Sequence, residues 1–379
     1  MSGSKKNLTI AHIISALGRG GMEFAVSRLA VQQKKDGLDV HVICIRDLGP
    51  TAEMLKKHDI PVHLSPFRSR LHPASLKELK MLLRRIGASV VQTHNYRPNV
   101  SGTVAAKMAG IPAVISSLRT VNRWDTLRQY LMDRFICRWR DAIVCVSQEV
   151  RDRYHEKIKC PRSKLHVIHN GVDMDCLEPA SPLKNLYEQY HLDPGDLHVI
   201  SIARLVKIKD HPTLLRAFKK VVDRIPRAKL LILGEGGKRN ELESLAGELN
   251  ITDRVLFAGH QGNTRDWLSI SDVSALSTHV EGFSSTILES LATGAPVVAT
   301  DVGGNREAVE QGVTGFLTPH EDADEMADKI ILLLEHPELR KKMGKAGRQI
   351  VENEFTIEAT ARKTYDLYCE ILNRKEMGG

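Results

Sequence analysis

The amino-acid sequence predicts an α/β fold of two doubly wound parallel-sheet domains in tandem, with a deep cleft between them. Three observations predict it. The chain has 379 residues, enough for more than one core at roughly 100–200 residues per domain. Short apolar runs alternate with stretches of helical period almost from end to end, the pattern of parallel strand–helix units. That alternation breaks once: residues 170–196 carry three prolines and two glycines and read as an interdomain connection.

Taken in order, the apolar runs predict strands at 8–15, 40–45, 62–64, 89–93, 113–116, 142–146 and 165–168. After the break they predict strands at 197–203, 229–233, 255–257, 273–276, 296–299 and 315–317. Helical patterns lie between them, and about the last 55 residues read as helix. The domains are expected at 1–175 and 197–356, joined by 176–196. In such sheets ligands sit beyond the carboxyl ends of the strands, so the loops that follow strands are where function is sought.

Apolar residues at 42% and charged residues at 26% exclude a disordered, collagen-like or rod-like chain. No segment approaches the roughly 18 apolar residues of a membrane span, and the N-terminus lacks a signal-peptide layout. Cys44, Cys137, Cys145, Cys160, Cys176 and Cys369 are scattered without a CxxC pair, as in a reducing cytoplasmic compartment. The net charge of +8 is unevenly divided. Residues 1–190 hold 30 Lys+Arg against 17 Asp+Glu, and residues 191–379 hold 24 against 29. The basic stretch between residues 68 and 164 includes Arg84, Arg85, Arg119, Arg123, Arg128, Arg134, Arg138 and Arg140, with Tyr130, Phe135, Trp139 and Tyr154 interleaved. A solvated helix surface and a face for anionic lipid or an anionic acceptor both fit. Nucleic acid is disfavoured, because no motif of a nucleic-acid-binding fold accompanies the charge.

Three loops carry the chemistry. After the first strand, Gly18-Arg19-Gly20-Gly21-Met22-Glu23 opens a helix, and its glycines let an anion approach a helix N-terminus. A dinucleotide fingerprint would need glycine at Glu23 and an acid where Ile45-Arg46 ends the second strand, which argues against NAD. After the first strand of the second half, Arg204 and Lys209 offer a fork and a point charge that suit a diphosphate. The most specific signal runs from Glu281 through Gly282, Phe283, Ser284 and Ser285 to Glu289 and Gly294-Ala295-Pro296. It combines a loop acid, a helix start that can receive phosphate, and a second acid that can accept two vicinal hydroxyls. Two acids beside an anion site would repel phosphate unless Arg204 and Lys209 neutralise them.

Glu281 and Glu289 with this filling, followed by Asp301-Val302-Gly303-Gly304-Asn305-Arg306-Glu307 and Thr314-Gly315-Phe316-Leu317, resemble the donor-site signature of retaining GT-B glycosyltransferases of family four. The resemblance extends to Arg204/Lys209, to Gly20-Gly21-Met22-Glu23 and to His169-Asn170-Gly171-Val172-Asp173. It implies two Rossmann-like domains, an N-terminal one for the acceptor and a C-terminal one for a nucleotide-sugar donor, most commonly UDP-linked. The C-terminal helix, about 357–376, is expected to pack back on the N-terminal domain. Gly20 and Gly21 would approach the diphosphate and transferred sugar, Arg204 and Lys209 would hold the diphosphate, and Gly234 would lie near the base. Glu281 and the Gly282–Ser285 backbone would meet sugar or phosphate, and Glu289 the ribose. His94 matches the family's cleft histidine, which contacts the donor sugar or the acceptor, and is expected to be catalytic with Glu281, Arg204 and Lys209; His94, Asn95 and Arg119 are expected to meet the acceptor.

The family likeness implies retention of anomeric configuration without metal or cofactor, with the leaving phosphate taking the acceptor's proton. The basic surplus lies in the half that such enzymes use for the acceptor, and it points to a lipid-linked or cell-surface glycan precursor as acceptor and to a peripheral place on the inner face of a membrane. Asp173-Met174-Asp175 and Asp322-Ala323-Asp324, the only D-x-D triplets, read as structural. Ala203, Asp210 and Ser290 depart from commoner family residues without removing a contact. A sugar-nucleotide 2-epimerase or phosphorylase of similar architecture, or a non-catalytic binder of anionic polymer or lipid, are the alternatives.

Overall fold

A computed structural model of the chain describes residues 8–119, 126–176 and 182–378, so Arg123 lies outside the described residues. The chain forms two compact units. One runs to Gly171 and resumes at Ile357, and the other is Val172–Thr356.

The first unit holds a seven-stranded sheet: β1 Thr9–Ala16, β2 Asp39–Asp47, β3 Val62–Leu64, β4 Val90–His94, β5 Ala113–Leu118, β6 Ala142–Cys145 and β7 Leu165–Val167. Their order is β3-β2-β1-β4-β5-β6-β7. The second holds β8 Leu197–Ile202, β9 Ala228–Leu233, β10 Val255–Gly259, β11 Val273–Leu276, β12 Val297–Thr300 and β13 Gly315–Thr318, in the order β10-β9-β8-β11-β12-β13. Every pairing within these sheets is parallel. All thirteen strands coincide with the apolar runs, because strands covered on both faces must be apolar throughout. Each sheet reverses direction beside its first strand, between β1 and β4 and between β8 and β11, and such switch points open a crevice for ligands.

Helices cover the sheets by burying one stripe each. The helix His211–Arg224 buries Leu214, Leu215, Phe218 and Val221, a spacing that returns to one face. Pro212 sits in its first turn, where no amide hydrogen is needed, and Pro226 follows its end. Each such side chain adds roughly 1.5–3 kcal/mol when fully buried. Asp322 caps the helix Ala323–Glu335 by accepting the Asp324 and Glu325 amides at 3.1 and 2.9 Å. Asp173 likewise accepts the Asp175 amide at 3.1 Å. Both D-x-D triplets thus hold backbone. The helix Ile357–Gly378 places Leu367, Tyr368, Ile371 and Leu372 in the core of the first unit with Val40, Ile115 and Val144.

Three expectations need correction. The described part of the segment read as a connection belongs to the second unit, where the helix Leu183–Gln189 packs Leu186, with Leu192 beyond it, into one cluster with Trp267. β2 runs on to Asp47, so an acid does end the second strand and only Glu23 argues against a dinucleotide fingerprint. Finally, Arg140 is not a surface cation. It is 1% exposed, pairs with Asp133 at 2.7 Å and donates to Tyr154 Oη at 2.7 Å.

Candidate functional site

In the second unit, β8 and β11 are neighbours, with Val199 opposite Val273 and Ile200 opposite Ser274. The loops that follow them must therefore lie side by side. Arg204 and Lys209 come on one loop and Glu281 on the other, and Lys209 Nζ pairs directly with Glu281 Oε2. Both side chains are 18% exposed, so the pair is mostly shielded yet open to a ligand. One cation and one acid of the two motifs are thus brought together. Arg204 is exposed, and among the described residues no side chain pairs with it.

Several residues that hold this arrangement carry no signal in the linear pattern. Ser277 Oγ donates to the Asp210 carbonyl at 2.8 Å, Thr278 Oγ1 to the Ile208 carbonyl at 3.0 Å, and the His279 amide to the same carbonyl at 2.9 Å. These bonds stitch the Lys209 loop to the Glu281 loop. Thr300 Oγ1 accepts the Thr278 amide at 3.0 Å and donates to its carbonyl at 2.8 Å, which ties β12 to the same edge. Gly303, at φ +57°, abuts the other side: a Cβ there would lie 1.8 Å from the Glu281 carbonyl oxygen. The glycines of Asp301-Val302-Gly303-Gly304 are thus explained in part by backbone contact with Glu281.

Gly234, at φ +140°, serves the Arg204 loop in the same way, since a Cβ on it would meet the Ala203 carbonyl oxygen at 2.1 Å. Gly282, Phe283 and Ser284 are buried and Ser285 is half-buried. The Phe283 ring lies 5.5 Å from that of Phe355, so this side chain anchors the turn and leaves ligand contact to backbone. Ser284 Oγ accepts the Ile287 amide at 3.3 Å and caps the helix Ser285–Ala292. Glu289 is half-buried on that helix. Ser290, where the family more often has alanine, donates to Ser274 Oγ at 2.8 Å and fastens the helix to β11.

In the first unit, the Gly20-Gly21 turn follows β1, and Gly20 is the N-cap of the helix Gly21–Lys35. Gly21 is exposed, and no atom lies within 4 Å of where its Cβ would be. His94 ends β4 and is fully buried. Its Nε2 lies 3.0 Å from His12 Nδ1, and His12 Nε2 lies 2.7 Å from Gln33 Oε1. The amide oxygen can only accept, so His12 carries its proton on Nε2 and accepts from His94 Nε2–H. His94 Nδ1 is then a bare buried acceptor, and no partner is found for it among the described residues. Gln33 Nε2 donates to Tyr368 Oη at 3.3 Å, Tyr368 Oη donates to Gln92 Oε1, and Gln92 Nε2 donates to Ser117 Oγ at 2.8 Å.

Burial first, then the Arg119 charge, holds His94 well below the ordinary imidazole value. Burial likewise lowers His12 to about 4, against a raising contribution from the Gln33 bond. Both rings are neutral near pH 7. Asn95 adopts φ +72° and starts the helix Tyr96–Ala109. Arg119 Nη1 donates to Asn170 Oδ1 at 2.5 Å. Burial lowers its guanidinium to about 10, still fully charged at neutral pH. The sequence places His94 at a strand end, where the structure has it, but the His12–Gln33–Tyr368 chain behind it is missed, because Gln33 and Tyr368 lie 335 positions apart.

Two family models match most of the chain. One, described as Glycosyltransferase Family 4, matches residues 19–175, and the other, Glycosyl transferases group 1, matches residues 184–350. N-acetyl-alpha-D-glucosaminyl L-malate synthase of Bacillus anthracis is 31% identical over 245 residues, which is 65% of this chain and 64% of the relative. The UDP-Gal:alpha-D-GlcNAc-diphosphoundecaprenol alpha-1,3-galactosyltransferase of Escherichia coli is 25% identical over 99% of this chain and 100% of the relative. The crystal structure of Anabaena HepE in complex with UDP superposes with a TM-score of 0.85 at 20% identity, over 96% of this chain and 100% of that one. With the strand order, the paired Lys209 and Glu281 and both family models in agreement, the chain belongs to the family-4 glycosyltransferases of the GT-B fold.

Proposed function

We propose that this glycosyltransferase moves a sugar from a nucleotide-sugar donor, UDP-linked, to a hydroxyl of a lipid-linked glycan precursor, with retention of configuration. The observation that carries the reading is the Arg204, Lys209 and Glu281 edge at the switch point of the second sheet. Glycosyl transfer passes through an oxocarbenium-like state and must stabilise a departing diphosphate. Arg204 and the Lys209 ammonium supply fixed positive charge for it. Glu281, whose partner Lys209 would turn toward the phosphates, is then released to accept hydrogen bonds from sugar hydroxyls. Glu289 receives the ribose diol, and the leaving phosphate oxygen takes the acceptor's proton as the new glycosidic bond forms on the same face. The UDP in the HepE complex and the UDP-galactose in the name of the Escherichia coli relative support the choice of base.

The acceptor side of the reading rests on the first unit. The helix Leu127–Cys137 exposes Leu127, Leu131 and Phe135, with Trp139 just beyond, among the exposed Arg128, Arg134 and Arg138. A cavity of about 290 Å³ beside it is lined by Arg134, Arg138, Lys159 and Lys164. Apolar side chains amid cations suit an anionic lipid headgroup at a membrane surface. No described helix is long and apolar enough to cross a membrane. The diphosphoundecaprenol in the name of the Escherichia coli relative supports the same class of acceptor.

Incubation with a panel of nucleotide sugars and a polyprenyl-diphosphate sugar in anionic vesicles is expected to yield a longer lipid-linked glycan whose new bond keeps the donor's anomeric form. An inverted anomer would refute retention. A new sugar nucleotide formed without acceptor would replace the proposal by the epimerase reading.

A further inference from the structure

We propose a transition-metal site at the carboxyl edge of the second sheet, made by His279, His320 and Glu321, residues that the proposed transfer does not use. His279 lies three residues beyond β11, and His320 and Glu321 lie just beyond β13. One ligand atom from each falls within 4.8 Å of the others, and His279 Nδ1 is 3.6 Å from Glu321 Oε1. The two imidazole rings stand edge to face, 6.2 Å apart at 79°. Tetrahedral ligand atoms about zinc sit at roughly 3.3–3.6 Å from one another, given metal–ligand bonds of about 2.0–2.2 Å. Small rotations of the exposed His320 and Glu321 side chains would close the set.

A second observation comes from the other side of His279. Its Nε2 faces Asp210 Oδ1 at 3.9 Å. Asp210 is 7% exposed, its Oδ2 has no hydrogen-bond partner among the described residues, and it adopts φ +44°. A carboxylate buried without a partner is costly, and a left-handed aspartate adds strain. The carboxylate gains a donor if His279 binds an ion through Nδ1 and turns its Nε2–H toward Asp210 Oδ1, the oxygen it already faces. That is the carboxylate–histidine–metal relay that fixes the tautomer and raises ligand basicity. Asp210 is also the residue that stands where the family more often has glycine.

Two imidazoles and one carboxylate favour Zn²⁺ or Co²⁺ over Mg²⁺ or Ca²⁺, which prefer all-oxygen shells, and leave a fourth position for water. Asp210 follows Lys209, and His279 precedes Glu281 by two residues, so an ion here would tie together the two loops that carry the donor-site pair. Its chemistry would be structural, a clamp on loop positions.

The test uses the full chain after treatment with a chelator. Calorimetric titration with Zn²⁺ at neutral pH is expected to show one site, and Co²⁺ to give the visible absorption of a tetrahedral centre. His320→Ala and Glu321→Gln, both on exposed side chains, should each weaken Zn²⁺ binding at least tenfold, and Asp210→Asn by about 10- to 100-fold. UDP binding by His320→Ala, measured without metal, checks that the variant is folded. Equal Zn²⁺ stoichiometry and affinity in the wild-type chain and in a folded His320→Ala/Glu321→Gln double variant would overturn the proposal, because the ion would then reside on other histidines.

Discussion

Lys209→Ala is expected to lower kcat/KM for the nucleotide-sugar donor by about 10²- to 10³-fold, or roughly 3–4 kcal/mol of transition-state stabilisation. Two losses combine: a cation leaves the diphosphate, and the Glu281 carboxylate, 18% exposed, is left uncompensated beside the phosphates. Glu281→Ala should behave differently. Transfer is lost with the sugar contact, yet UDP as a product inhibitor should bind as well as to the wild-type chain or more tightly, because Lys209 no longer has to leave a partner. The double variant should recover UDP affinity relative to Lys209→Ala alone, with a coupling of about 0.5–3 kcal/mol. Inhibition constants for UDP across the four proteins measure this directly. Strictly additive effects would show that the pair observed between Lys209 and Glu281 has no part in donor binding.

Gly303→Ala should be nearly as severe, although residue 303 is assigned no ligand contact. A methyl group 1.8 Å from the Glu281 carbonyl oxygen cannot be accommodated by a side-chain rotation, so backbone must move, and Glu281 with it. Strain and displacement together are expected to cost roughly 2–4 kcal/mol of stability and at least tenfold in transfer. Gly312 provides the comparison. It too has positive φ, +74°, but open space lies where its Cβ would go. Gly312→Ala should therefore cost only the left-handed penalty of about 1–2 kcal/mol and leave transfer unchanged. Urea unfolding and initial rates of the two variants separate the cases. Equal losses of activity would mean that Gly303 matters for its dihedral alone.

The fold was legible because a parallel sheet covered on both faces writes each strand as an apolar run, and β1 to β13 all carry one. The proximity of Lys209 and Glu281 was legible for a related reason: each follows a strand, and the ends of those strands adjoin at a switch point. What escaped was set by tertiary contact. Arg140 reads as one more cation in a basic stretch, and only the packing that brings Asp133 to 2.7 Å makes it a buried ion pair. The helix Leu183–Gln189 is hidden in a stretch rich in proline, and its place in the second unit depends on Trp267, far along the chain. His94 could be assigned to a strand end, but its tautomer depends on Gln33 and Tyr368, one helix 61 residues upstream and another 274 downstream. The Ser277 and Thr278 bonds that align the two donor-side loops use residue types common in any loop.

The central claim, that a nucleoside diphosphate binds at the carboxyl edge of the second sheet through Arg204 and Lys209, is tested most directly by calorimetric titration of UDP into the wild-type chain and into Arg204→Ala. The guanidinium is exposed, so its removal should not disturb folding. One UDP per wild-type chain is expected, with affinity about 10²-fold weaker in the variant, or roughly 3 kcal/mol. Equal affinity in the two proteins, or no binding of UDP to the wild-type chain, would contradict the assignment.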